Sequence, residues 1–263
     1  MRKYSTSTIV GTVSNLFKRS VPTKDGGQTQ AIDMTVALHS LVNGRSVPAY
    51  IQVTAIGKQV EFLLENDRLK EDVNVLVGGE LKQERWVKDD RKMSRLVIKA
   101  SRLEIVDATL ARTTPDSKDR THVAQGLNCT TIAGNLTAAP EMRKTPSGDS
   151  VANFTVALNH KYTGGDGKEV EETTFMEVVA WRSLAEDAFK SLKKGSAVTV
   201  NGALVTAGWT DKDGNKRQSL QLEAMHIFGI EVPDAPVTQE AQPDITEADL
   251  PPVEAVDTED LPF

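Results

Sequence analysis

Four aromatic side chains, Tyr162, Phe175, Trp181 and Trp209, each stand beside a turn signal or a strand end, with Arg143, Lys144, Lys161, Arg182, Lys212, Lys216 and Arg217 interspersed among them. Flat faces next to cations suit a single-stranded nucleic acid, whose bases stack on the rings while its phosphates follow the positive charges. Each stacked base contributes about 1–3 kcal/mol, and each neutralised phosphate adds a salt-dependent share. Aromatic residues in strands usually fill cores. Trp209 and Tyr162 stand apart from that rule because Gly- and Asp-rich loops adjoin them, whereas Phe175 fits either reading.

The far C-terminus offers a different chemistry. Residues 231–263 hold ten Asp or Glu, no Lys or Arg, and six of the eleven prolines. Such a stretch has too little apolar surface to fold alone, and a disordered acidic tail is expected. It ends on Asp257, Glu259, Asp260, Leu261, Pro262 and Phe263. An arm that only keeps the protein soluble is one reading. An apolar tip with a free carboxylate also fits a small basic-rimmed pocket on a partner, with the acidic residues steering the encounter.

The formal net charge of −6 averages two unlike parts, because residues 1–230 carry 31 Lys plus Arg against 27 Asp plus Glu. A mildly basic body with an acidic arm suggests a polyanion-binding surface. The single Cys129 has no intrachain partner and reads as a reduced strand residue. With no basic-apolar leader and no long apolar run, a cytoplasmic, nucleoid-associated protein is expected, with no membrane role. Enzyme readings find little to stand on. His39, His122, His160 and His226 show no metal-ligand spacing with one another or with Cys129. No phosphate-binding loop, nucleophile elbow or zinc-protease motif occurs, and Ser147-Gly148-Asp149-Ser150 reads as a turn. Neither cofactor, metal nor catalytic residue is expected.

The elements that must position these residues come in two copies. Ile9-Val10-Gly11-Thr12-Val13 matches Ile132-Ala133-Gly134-Asn135-Leu136, and Met34–Leu38 matches Phe154–Leu158. Tyr50–Ala55 then matches Phe175–Ala180, Val75–Leu81 matches Val198–Leu204, and Trp86 matches Trp209. Five colinear matches at nearly one offset mark a tandem duplication. Each copy alternates apolar and polar residues as strands do. One helix interrupts the strands: Ser183 is placed to cap 184–192, with Gly195 as its stop, and a weaker equivalent lies around Gln59 to Leu69. Asn43-Gly44, 164–167 and 211–214 are hairpin signals. The fold class is therefore all-β with one short helix per repeat. Three strands, a helix and two strands give two tandem OB-folds, five-stranded Greek-key barrels. The expected domains are 1–112 and 125–230, joined by a polar linker over 113–124 and followed by the tail at 231–263.

The second copy resembles the bacterial single-stranded DNA-binding proteins, specifically the type with two OB-folds per chain. The resemblance runs from Gly126 to about Phe228 and rests on several motifs: Gly126-Leu127-Asn128, Gly134-Asn135-Leu136, Pro140-Glu141-Met142-Arg143, Val151-Ala152-Asn153-Phe154, Val178-Val179-Ala180-Trp181, Leu192-Lys193-Lys194-Gly195 and Trp209-Thr210-Asp211. It implies that Tyr162, Phe175, Trp181 and Trp209 are the base-stacking aromatics and that Arg143 contacts the backbone. It also implies that the Asp-Leu-Pro-Phe end docks replication, recombination and repair proteins, and that two chains supply four OB-folds as a homodimer. Thr258 and Leu261 depart mildly from the family's usual tip.

The first copy resembles the family less. Tyr50 and Trp86 match Phe175 and Trp209, but Val42 stands at the Tyr162 position and Ile56 at the Trp181 position. Charge moves the other way: residues 1–112 hold 18 Lys plus Arg against 13 Asp plus Glu, and residues 125–230 hold 11 against 12. A division of labour is expected, with phosphates held by Lys82, Arg85, Lys88, Arg91, Lys92 and Arg95 and bases stacked on the second copy. Drift between duplicates remains an alternative. Because OB-folds also serve RNA and other ligands, an RNA-binding protein or interaction hub is the competing function.

Overall fold

The computed structural model describes residues 4–23, 25–88, 91–107, 113–115, 121–163, 168–210, 214 and 216–230; the side chains at 88, 91, 92, 113–115, 121, 162, 163, 216 and 230 lie outside the description. The first repeat contains β1 (Tyr4–Pro22), β2 (Gln28–Val42), β3 (Arg45–Ile56), α1 (Lys58–Glu65), β4 (Asn74–Lys88) and β5 (Arg91–Ile105). Two short strands follow, β6 (Thr113–Pro115) and β7 (Thr121–Val123). The second repeat contains β8 (Asn128–Leu136), β9 (Glu141–Lys144), β10 (Ser150–Thr163), β11 (Glu169–Trp181), α2 (Arg182–Ser191), β12 (Ala197–Thr210) and β13 (Lys216–Ile230).

Each repeat closes on itself. β1 pairs with β2 and with β4, β2 with β3, and β4 with β5, all antiparallel, while Val53 of β3 lies opposite Ile98 of β5 in a parallel pairing. The second repeat reproduces this circuit through β8, β10, β11, β13 and β12, with Val178 opposite Leu222 as its parallel contact. Closure removes the sheet edges that a long β-chain would otherwise expose. Inward residues such as Ile9, Met34, Ile51, Val77 and Ile98 fill the first barrel, and Ile132, Val156, Met176, Val200 and Leu222 fill the second.

Glycine makes closure possible at matching points. The β4–β5 register slips between Gly78 and Gly79, and the β12–β13 register slips between Asn201 and Gly202. A Cβ on Gly79 would strike the Lys99 carbonyl, and one on Gly202 the Glu223 carbonyl. Both bulges tighten the bend that brings the ends of the sheet together.

The helices plug the barrels through Val60 and Leu63 in α1 and Ala185 and Ala188 in α2. The expected Ser183 cap is not what begins α2. The chain turns directly out of β11, Trp181 occupies the N-cap position without a side-chain hydrogen bond, and Arg182 opens the helix at a φ of 56°. Within 113–124, β6 and β7 pair with one another, and Val123 lies opposite Leu38 of β2.

The barrels join through β1 and β8, antiparallel from Tyr4 opposite Ala133 to Ile9 opposite Asn128. Ser7 lies opposite Thr130, its own duplicate, so a local twofold axis passes between them. There the buried Thr130 Oγ1 donates to Ser7 Oγ at 2.9 Å. The unit is a pseudo-dimer written in one chain.

Candidate nucleic-acid interface

Trp86 and Trp209 occupy equivalent places near the outer ends of the long β4–β5 and β12–β13 hairpins, opposite Met93 and Arg217 respectively. Trp209 is exposed, while Trp86 is half-buried with the Arg95 guanidinium 5.8 Å from its ring centroid. Tyr50 and Phe175 lie in the inner strands β3 and β11 and face the other barrel's hairpin. The Tyr50 amide donates to Thr206 Oγ1 at 3.0 Å and the Phe175 amide to Gln83 Oε1 at 3.4 Å, one bond on each side of the twofold axis. Tyr50 also meets the buried His122 ring edge-on at 6.4 Å. Tyr162 lies in β10 opposite Val170, and its side chain is outside the description.

The cations of the second repeat are spread along its rim. Arg143 and Lys144 lie in the exposed β9, where Lys144 Nζ donates to Ser150 Oγ at 3.3 Å. Lys161 is 3.5 Å from Glu171, and Arg182 Nε donates to Asp149 Oδ1 at 3.2 Å. Arg217 sits half-buried beside Trp209 across the hairpin. Lys212 and residues 257–263 of the tail lie outside the described residues, as does the Lys216 side chain.

In the first repeat, Lys82, Arg85 and Arg95 line one trough, but carboxylates or the other barrel already engage them. Lys82 Nζ is 3.6 Å from Glu172, and Arg85 donates to the Thr173 carbonyl at 2.9 Å. Arg95 is 2.8 Å from Glu84 and 3.9 Å from Asp33, which Arg19 holds at 2.6 Å. Lys82 and Arg85 thus bridge to the second barrel, and Arg95 belongs to an ionic web with Glu84, Asp33 and Arg19. The Lys88, Arg91 and Lys92 side chains are outside the description.

Sequence symmetry is broken at the two flanks of the axis. On one flank Val42, Val47, Ala203 and Val205 form an apolar plug between the barrels. The strand registers place Tyr162, Glu172, Glu80 and Lys82 at the equivalent positions of the other flank. There the barrels part. A cavity of about 1120 Å³, lined by Trp86, Ile56, Lys99 and His160 among others, adjoins a second of about 590 Å³ that reaches Lys161. The two share Glu80, Lys82 and His160, so a polar trough runs from Trp86 in one barrel to Lys161 in the other. Val42, which stands at the Tyr162 position of the first repeat, is thus a buried inter-barrel contact at 1% exposure.

The plugged flank holds a constellation that local sequence patterns do not announce. Arg45, just after the Asn43-Gly44 turn, is 2.9 Å from Glu223 of the second barrel, and Asn43 Nδ2 donates to the same carboxylate at 2.8 Å. The Arg45 guanidinium lies over Trp181, 4.6 Å from its centroid. Nothing local links these residues, because the contact exists only between repeats.

Residues 127–228 match the Single-strand binding protein family. Over 208 residues the chain is 35% identical to the Single-stranded DNA-binding protein of Deinococcus radiodurans, covering 77% of this chain and 68% of the relative. It is 34% identical over 230 residues to the Single-stranded DNA-binding protein of Thermus aquaticus, covering 83% and 82%. The crystal structure of the wild-type Thermus aquaticus protein superposes with a TM-score of 0.63 at 25% identity, over 89% of this chain and 97% of that one. Paired closed barrels, outward tryptophans at equivalent hairpin ends and this similarity over most of both lengths lead to one conclusion: the chain belongs to the single-strand binding protein family.

Proposed function

We propose that the chain binds single-stranded DNA with little sequence preference and protects it. The observation that carries this reading is the duplicated presentation of Trp86 and Trp209 at the ends of equivalent hairpins, with a polar trough leading from Trp86 to Lys161 of the other barrel. Stacking on π-faces is tolerant of base identity, because every base has one. The chain acts as a binder and not as an enzyme, and two chains bring four barrels together as a homodimer.

The deciding measurement is a tryptophan-fluorescence titration with oligo-dT, duplex DNA and folded RNA, with light scattering on the same samples. Quenching and tight binding are expected with oligo-dT alone, at a mass of two chains. Equal affinity for the duplex would reject the reading, and preference for folded RNA would favour the RNA-binding alternative.

The tail adds recruitment. Phe263, behind Leu261-Pro262, docks replication, recombination and repair proteins, while Asp257, Glu259 and Asp260 steer them in. Removing 260–263 is expected to abolish capture of such partners and to leave oligo-dT affinity unchanged or higher. A large loss of DNA affinity on this deletion would contradict the assignment.

A further inference from the structure

We propose that Arg45 of the first barrel belongs to the base-binding site of the second, its guanidinium forming the surface that a base meets above Trp181. This rests on the single-stranded DNA reading and deepens it at one site. Four observations converge on it. First, the guanidinium lies over the indole, and the Arg45 side chain is half-exposed while Trp181 is half-buried, so a base approaching the covered side of the ring meets Arg45. Second, Arg45 is preorganised. Its Nη2 donates to both oxygens of the almost fully buried Glu223, at 2.9 and 3.2 Å, and Asn43 fixes that carboxylate from the same turn. Third, Trp181 Nε1 is buried with no hydrogen-bond partner among the described residues, so the polar edge of the ring points inward. Fourth, the arrangement occurs once. The registers put Val170, Lys99 and Ile56 where the equivalent flank would need Arg45, Glu223 and Trp181, and that set has neither a guanidinium nor an aromatic face.

A planar guanidinium stacks on a nucleobase as it does on an indole, and its remaining N–H groups stay free to meet a phosphate. Nε and Nη1 of Arg45 carry no hydrogen bond among the described residues. The first barrel thus completes a site in its neighbour, and Trp181 serves as the backing of a two-layer platform.

The test separates plane from charge. R45K keeps the cation beside Glu223 and removes the plane; R45M combined with E223Q removes the ion pair as a unit and leaves no buried charge unpaired. Full-length chains are titrated with oligo-dT and with an abasic strand of the same length, and folding is checked by thermal melting. Both variants are expected to lose about fivefold to tenfold in oligo-dT affinity, while R45K stays within about twofold of the unaltered chain on the abasic strand. R45K binding oligo-dT as well as the unaltered chain, or losing equally on both strands, would overturn the proposal. Should R45K melt early, the double variant decides, and undiminished oligo-dT binding by it is then the contrary result. An unaltered chain with no preference for single strands over duplex would overturn the underlying reading as well.

Discussion

Asp33 lies between two guanidinium groups that line the trough, Arg19 at 2.6 Å and Arg95 at 3.9 Å. Partial burial pushes its carboxyl up, but hydrogen bonds from Arg19 and Thr54 and the charges of Arg19 and Arg95 outweigh this and hold it below its ordinary value of 3.8. The Arg19 guanidinium is pushed the other way, mainly by its hydrogen bond to Asp33. A carboxyl depressed by folding stabilises the native state at pH values above its unfolded pKa, and that contribution fades as pH falls through the lower folded value. The unaltered chain is therefore expected to melt above D33N at neutral pH, with the gap closing as the solution is acidified below pH 3.8. Melting curves of both proteins from neutral to acid pH check this, and a gap that persists undiminished into strong acid would refute it. The cations Arg85 and Arg95 were visible in the sequence, but their anchoring to Thr173 and to Asp33 was not, because those partners lie far along the chain.

The elements were more legible than their contacts. Period-two alternation located the long strands, and Asn43-Gly44 marked its hairpin because both residues adopt positive φ, 50° and 78°. Ser183 has the side chain of a common cap, yet the chain enters α2 straight from a strand, with Trp181 at the N-cap position. Gly11 and Gly134 appear in the matched segments for a reason the structure supplies: a side chain on either would collide with the neighbouring strand, at Val36 and at Val156. The bulge glycines are under the same pressure. G202A is expected to cost about 3 kcal/mol, as overpacking against fixed backbone does, and to lower the urea midpoint. A midpoint within error of the unaltered chain would show that the bulge relaxes freely.

At the scale of the molecule, the repeat spacing foretold two like barrels but could not show which surfaces meet. The β1–β8 register decides that: it is symmetric about Ser7 and Thr130, so that Thr6–Thr131 on one side is the duplicate of Thr8–Cys129 on the other. Some contacts between the barrels are kept on both sides, as with the Tyr50 and Phe175 amides, and others have diverged, as with Arg45–Glu223. An apolar plug stands on one flank where its counterpart on the other is ionic, Lys82 against Glu172.

The hydroxyl pair at Ser7 and Thr130 marks what fusion permits. In an assembly of identical chains, any substitution at such an interface arrives twice, and a change useful on one side must be tolerated on the other. Here each half is free to change alone. One edge can therefore differ from the other within a single chain, as Arg45, Glu223 and Trp181 differ from Val170, Lys99 and Ile56.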